Sequence, residues 1–345
     1  MQKIVFLVPY YGEFPEYFRE WCYSASFLKD QLIDFFLFTD IPILFELPEN
    51  IYLKQMSFEK FRAKIQSKFN FEICLPTPYN LCDFKPAFGY IFSEDIQNYD
   101  FWGNCDIDQV WGDIRHFITD DILRCYDRIN FLGHMILYRN CDQINEAFML
   151  LGAIYDYKTV FSSPIHYSFC EHAGMMKIFV DNQLRNYICS DYADLSPRHS
   201  RTWISRFNNY KYQILLWDQG HVYRKYITDE GSIGVDEYMY FHFQQKHPKS
   251  LITWNQGAPK AFIYHSDKFE IVEDSSQIDC EYIRDNCDFV SAENDRKEEM
   301  QYYYNKMKKF LNSPLKNKIL WIRQRIATRY VIKHKEYFGK KYSSI

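Results

Sequence analysis

Residues 98–113 read NYDFWGNCDIDQVWGD, an apolar-aromatic stretch that runs into an acidic tip and then into the turn residues Trp111-Gly112-Asp113. On extended chain, Asp106 and Asp108 are one pleat repeat apart and point the same way. Hard cations such as Mg²⁺ and Mn²⁺ take oxygen ligands, often one or two carboxylates completed by substrate phosphates. A carboxylate pair at the carboxyl end of a strand is therefore placed to grip a divalent cation and, through it, a nucleotide diphosphate. A D-x-D in isolation is common and is more often a solvated loop than a functional site. Its place at the end of this strand favours the metal.

Upstream, the chain alternates strand and helix. Ile4 to Val8 is a short apolar run closed by Pro9, fit for a buried parallel strand. Residues 15–29 carry Tyr17, Phe18, Trp21, Cys22 and Ala25 at helical spacing, with Pro15 suited to the first turn. IDFFLFTD (33–40) is a second strand and Ile51 to Met56 a third, followed by a helix from a Ser57 cap through Phe69. Residues 83–97 read as helix again. Repeated β-α-β units predict an α/β fold, a Rossmann-type mixed sheet flanked by helices whose ligands sit beyond the strands' carboxyl ends. Past Gly112 the pattern predicts a strand at 131–140, helices at 143–156 and 166–182, and a hairpin over 221–243 around Glu230-Gly231. Residues 251–292 read as an irregular connection, and 293–345 as a charged helical extension.

The 345 residues hold 47% hydrophobic and 25% charged side chains, the balance of a folded soluble protein. Aromatics reach 19%, which suits core filling and, at a few places, ring platforms for sugars or bases. A net charge of −4 argues against a nucleic-acid partner. The ten cysteines form no C-x-x-C pair, so they read as small buried hydrophobes of a reducing compartment. MQKIVFLVPYYGEFPEY reads as a strand rather than a signal peptide, and the expected location is the cytoplasm.

Further candidates lie downstream. His242, in EYMYFHFQQKH, suits a third metal position, because Mn²⁺ accepts nitrogen. Gln244 and Lys246 follow at period two, and a lysine there would neutralise a leaving diphosphate. Asp83 and Lys85, in LCDFKPAFGY, are an opposite-charge pair near a helix start. Glu171, in FCEHAG, is a candidate general base on a sugar hydroxyl.

IVFLVPYYGEFPEYF, LFTD, LCDFKPAFGYIF, YDFWGNCDIDQVWGDIR, GHMILYRN, ADLSPRH and DEYMYFHFQQKH occur in the order that resembles a bacterial family of GT-A-like glycosyltransferases, largely uncharacterised, of capsule, O-antigen and exopolysaccharide gene clusters. The resemblance covers roughly residues 3–247. It implies a catalytic domain over 1–250, with a nucleotide-binding half to about 112 and an acceptor half beyond it. It implies that Val8, Pro9, Tyr10, Tyr11, Thr39 and Asp40 hold the nucleotide base and ribose of a UDP-sugar, with Asp83, Lys85, Asp106 and Lys246 completing the donor set. It also implies that Asp106, Asp108 and His242 bind Mn²⁺ or Mg²⁺, and that the acceptor is a saccharide or lipid-linked saccharide. Where the family pattern has Asp-Glu this chain has Cys170-Glu171, so only Glu171 carries over as base. Gln245-Lys246-His247 stands where a more basic Lys-Arg pair is usual.

A metal-dependent phosphoesterase and a non-catalytic carbohydrate-binding scaffold are the rival readings. Neither accounts for D-x-D at a strand end together with the other motifs. The sequence leaves inversion and retention open. Finally, residues 315–341 contain nine Lys or Arg against one Glu, interleaved with Leu315, Ile319, Ile322, Ile326 and Tyr330. This predicts a basic amphipathic helix that docks on the protein, on a second copy, or on the anionic inner face of a cell membrane.

Overall fold

The computed structural model describes residues 1–244, 246–265, 267–288 and 291–333. Among these, the strands form three sheets. The largest is seven-stranded, ordered β3-β2-β1-β4-β7-β6-β8, from β1 (Ile4–Pro9), β2 (Ile33–Thr39), β3 (Ile51–Gln55), β4 (Phe101–Cys105), β6 (Arg128–Ile129), β7 (Met135–Arg139) and β8 (Asn186–Tyr187). β1 to β4 run parallel, whereas β7 is antiparallel to β4. The fold is thus mixed α/β, as expected. Along β1, Val5 and Leu7 enter one apolar cluster while Ile4, Phe6 and Val8 enter another. Alternate side chains of a strand covered on both faces must do this, and it is why the run has no polar residue.

Helix α1 (Phe18–Ser26) covers one face and α2 (Phe58–Gln66) the other, the latter capped by Ser57, whose side chain accepts from the Lys60 N–H. The expected helix at 83–97 is broken into Leu81–Phe84, a tight turn at Lys85–Ala87 and Phe88–Ile91. Pro86 supplies no N–H and cannot continue a regular ladder.

Two other predicted helices are shorter in the structure. Over 143–156 only Asp142–Asn145 and a turn at Ala147–Met149 are helical, and the chain reverses at Gly152, φ +136°. Over 166–182 helix begins only at His172, because the backbone N–H groups of Tyr167 and Phe169 donate to Asp83 instead, at 2.7 and 2.8 Å.

The hairpin forms as predicted from β11 (His221–Ile227) and β12 (Ile233–Tyr238). It belongs to a second, six-stranded sheet, β12-β11-β10-β15-β16-β14, with β10 (Gln213–Asp218), β14 (Lys249–Ser250), β15 (Ala261–His265) and β16 (Lys268–Val272). Residues 251–292 are therefore not an irregular connection. β15 pairs with β10 some forty residues upstream, a non-local pairing that five-residue alternation does not announce. The third sheet, β5-β13-β9, joins β5 (Gln109–Trp111), β9 (Ala193–Asp194) and β13 (Tyr240–His242).

The C-terminal helices are Ala292–Asn312 and Leu315–Lys333; positions 334–341 of the predicted basic helix lie outside the described residues. The final helix packs on His172–Met176 through Leu320, Ala327 and Val331. Of the line Leu315-Ile319-Ile322-Ile326-Tyr330, one candidate for the docked face, the first four point to solvent instead, while the Tyr330 hydroxyl donates to Asp181 at 3.0 Å.

Glu20 of α1 is fully buried and accepts from the Ser250 hydroxyl of β14, joining the first sheet's helix to the second sheet. Burial raises its carboxyl to about 7 from an ordinary 4.5, against the smaller opposing effect of that hydrogen bond. The folded state binds this proton more tightly than the unfolded chain, so the contribution of Glu20 to stability is fully present below about 4.5 and is lost as pH rises towards about 7. Glu20→Gln should remove that fall and stabilise the protein by up to ~3 kcal/mol at about pH 8, with little change at about pH 4. Urea midpoints of both proteins across this range check it; parallel pH profiles would refute the burial argument.

Candidate metal centre

β1 leads to β2 and β3 on one side, while β4 and β7 lie on the other. A crevice opens beyond the carboxyl ends at such a reversal of strand order. Val8, Pro9 and Tyr10 from the end of β1 and Cys105, Asp106 and Asp108 from the end of β4 line one cleft of about 620 Å³. The two halves of the predicted site thus meet there because of topology.

Each carboxylate is held differently. The Asp106 backbone N–H donates to the His134 carbonyl (3.1 Å), and its own carbonyl accepts from the Trp21 indole (3.3 Å). Lys85 Nζ donates to Asp106 Oδ1 at 2.6 Å and to the Gly133 carbonyl at 2.9 Å. The Lys85 side chain is only 9% exposed. Burial opposes its charge, but Asp106 outweighs it and keeps the amine protonated more firmly than usual.

Asp108 lies between β4 and β5, its Oδ2 3.3 Å from His242 Nε2. His242 stands opposite Gln109 in the β5–β13 register, which sets the imidazole beside the D-x-D. Its other nitrogen, Nδ1, is 2.9 Å from Asp194 Oδ1, and Asp194 also accepts from Gln244 Nε2 at 2.6 Å. Burial works against a charged imidazole here, yet Asp108 and Asp194 together hold His242 up to about 10. Stacked on it at 4.4 Å, His134 is pushed down to about 3 by burial and is neutral.

One ligand atom each from Asp106, Asp108 and His242 lie within 4.8 Å of one another. Asp108 Oδ1 is buried and has no hydrogen-bond partner among the described residues, a costly arrangement for a carboxylate oxygen unless a cation completes it. Two carboxylates and one imidazole fit a divalent cation that keeps positions for phosphate oxygens. Asp194 would then orient His242 through Nδ1, as carboxylates behind metal-bound histidines do. His134, Asp194 and His242 also cluster within 4.8 Å, but all three are buried and His134 Nδ1 faces the Tyr240 hydroxyl at 3.1 Å. They form a support rather than an open site.

Other predicted residues are elsewhere. Tyr11 packs on Phe58 and Phe61. Thr39 is fully buried, its hydroxyl taking the Ile41 N–H, and Asp40 is exposed outside the cleft lining. Asp83 does not pair with Lys85: it clamps the backbone at 167 and 169 and lies 3.3 Å from His166. Lys246 is turned away because Gln244 adopts φ +55° and ends the period-two pattern; its ammonium donates to the Ser200 carbonyl. His247 lines the cleft in its place. Gln245 lies outside the described residues.

Glu171 sits on the far side of Gly133, where a Cβ would stand 3.8 Å from its Oε1. Burial raises its carboxyl, partly offset by His166 and Lys85. It also lines a separate cavity of about 160 Å³ with Trp321, Gln324, Arg325 and Thr328 of the final helix. Sequence reasoning missed Asp194 and this helix wall. ADLSPRH held the first, but nothing local tied it to His242.

Residues 6–273 match a family described as "Family of unknown function (DUF6625)". The chain belongs to that family. The DUF6625 match runs from within β1 to the end of β16, and so includes the cleft and all three candidate metal ligands. No curated protein matches the chain.

Because His242 must lose its proton to bind a metal, Mn²⁺ affinity should rise about tenfold per pH unit above neutrality, with a proton released on binding. Asp194→Asn should weaken Mn²⁺ binding by roughly 10–100-fold. Titration calorimetry in buffers of differing ionisation enthalpy reads both. Binding without proton release would remove His242 from the ligand set.

Proposed function

We propose that this protein is a metal-dependent glycosyltransferase of GT-A-like type, moving a sugar from a nucleotide sugar to a saccharide or lipid-linked acceptor in bacterial surface polysaccharide synthesis. The observation that carries this reading is the convergence of Asp106, Asp108 and His242 with a buried Lys85 at the carboxyl ends of β1 and β4. With a divalent cation held by these residues, a phosphate-bearing ligand entering that crevice would meet the positive charge its diphosphate needs, while Tyr10 and Tyr79 offer ring surfaces on the walls.

Asp106, Asp108 and His242 would hold Mn²⁺ or Mg²⁺, which supplies charge stabilisation on a departing diphosphate. Lys85 adds a fixed cation whose position is set by Asp106 and Gly133. Glu171, with its raised carboxyl, is suited to accept a proton from an acceptor hydroxyl if the reaction inverts. The acceptor would approach from the side of the final helix, where Trp321 and Arg325 share a cavity with Glu171. The cytoplasm and the inner face of the cell membrane are the places where such donors and acceptors meet.

Nucleoside diphosphates should stabilise the protein only when Mn²⁺ is present, by about 2.7 kcal/mol at a hundredfold excess over Kd. A thermal-shift panel with and without chelator tests this, and equal shifts in both would refute the metal role. Asp106→Asn strands Lys85 as a buried unpaired charge and should cost about 3 kcal/mol of stability. Asp108→Asn is therefore the cleaner probe of donor binding. With the donor identified by that panel, Glu171→Gln should lower turnover by roughly 10²-fold or more while leaving donor affinity unchanged. Normal turnover would exclude Glu171 as the base.

A further inference from the structure

The two C-terminal helices expose apolar side chains that nothing among the described residues covers. On the final helix Leu315, Ile319, Ile322 and Ile326 are 72%, 42%, 48% and 62% exposed. At about 100° per residue they fall in a stripe roughly 60° wide, about 140° around the helix from the docked Leu320, Ala327 and Val331. Lys316 and Arg323 fall on one flank of that stripe, and Lys318, Arg325 and Arg329 on the other. The preceding helix repeats the pattern. Met300, Tyr304, Met307 and Leu311 recur at steps of four and three, and each is more than half exposed.

Charge is segregated onto the same segment. Residues 300–333 hold nine Lys or Arg and no Asp or Glu, on a chain of net charge −4. The acidic residues of the penultimate helix precede this stretch, and three of them are already engaged. Asp295 binds Arg201, Glu298 accepts from Ser200, and Glu299 faces Arg198. Those contacts, together with Arg198 donating to the Tyr303 hydroxyl at 2.9 Å, tie the helix's first half to the protein, while Tyr304, Met307 and Leu311 beyond them stay exposed. Phe310 packs on Trp321 with ring centroids 4.9 Å apart, which joins the two helices.

We infer that the exposed face of residues 300–333 is a docking surface for an anionic lipid bilayer, with the apolar stripes seated in the headgroup region and the flanking lysines and arginines on acidic headgroups. The geometry is that of an interfacial helix: an apolar strip edged on both sides by basic residues. No described helix is long and apolar enough to cross a membrane, so the contact is peripheral. Self-pairing suits the face poorly, because a two-fold contact would set the same nine positive charges against each other. Nucleic acid would satisfy the charges and leave the apolar stripes wet. This inference stands without the catalytic reading.

The test is co-sedimentation of the full-length chain with vesicles of phosphatidylcholine alone and of phosphatidylcholine with about one-third phosphatidylserine. Binding is expected only to the acidic vesicles, and to weaken with salt over the range in which the Debye length shortens. Two variants at exposed positions separate the contributions. Ile319→Glu with Ile322→Glu and Ile326→Glu removes the stripe. Lys316→Gln with Arg329→Gln and Lys333→Gln removes three charges and should lower partitioning on the order of 10²-fold. Loss of binding in both variants supports the inference. A wild-type chain that stays in the supernatant, binds neutral vesicles equally, or is unaffected by both variants overturns it. So does a concentration-dependent dimer in sedimentation velocity that the glutamate variant abolishes while vesicle binding is absent.

Discussion

A buried ammonium persists only where partners replace its water, and Lys85 has two, Asp106 and the Gly133 carbonyl. This one contact ties three pieces of chain: the broken helical segment after Asp83, the end of β4, and the loop before β7. Asn104 donates to the same Gly133 carbonyl at 2.8 Å, so that oxygen is a shared anchor. Remove the ammonium and the Asp106 carboxylate loses its fixed direction, the 133 loop loses a hydrogen bond, and Glu171 loses a nearby cation. The cleft is organised around a charge that is itself largely withdrawn from bulk water.

The second half of the site follows a different logic. His242, Asp194, Gln244 and His134 make a buried polar cluster in which the two imidazoles stack on each other and His134 meets Tyr192 and Tyr240 edge-on. Burial there selects protonation states: His134 is kept neutral and His242 charged, although their rings touch. A protonated His242 stands between Asp108 and Asp194 and offsets one of their two carboxylate charges.

Residues whose roles depend on neighbours in sequence could be read from sequence. Asp106 and Asp108 are one pleat apart on one strand end, Ser57 caps its own helix, and the apolar run of β1 reports burial on both faces. Roles created by distant contacts could not. Asp194 acquires its role from a partner 48 residues on. Closeness in sequence predicts an Asp83–Lys85 pair, but the Asp83 carboxylate meets chain 84 and 86 residues away. The C-terminal stripe was visible as periodicity, while the choice of which face docks was settled by small Ala327 and by Leu320 and Val331, whose spacing is equally helical. β15 and β16 were missed because two five-residue strands carry little signal until β10 is beside them.

β12 runs into β13 with only Met239 between them, so the outer edge of the six-stranded sheet and the strand bearing His242 are one nearly continuous piece of chain. Side chains alternate along such a piece, and a slip of one residue, about 3.3 Å, would turn His242 to the opposite face. The centre therefore has no half-formed version reachable by small shifts of β13. Either the hairpin is seated in its register and the imidazole faces Asp108, or the D-x-D has lost its nitrogen altogether. The peripheral sheet, which contributes no side chain to the D-x-D cluster, acts on it as a ratchet acts on a wheel, fixing position in whole steps.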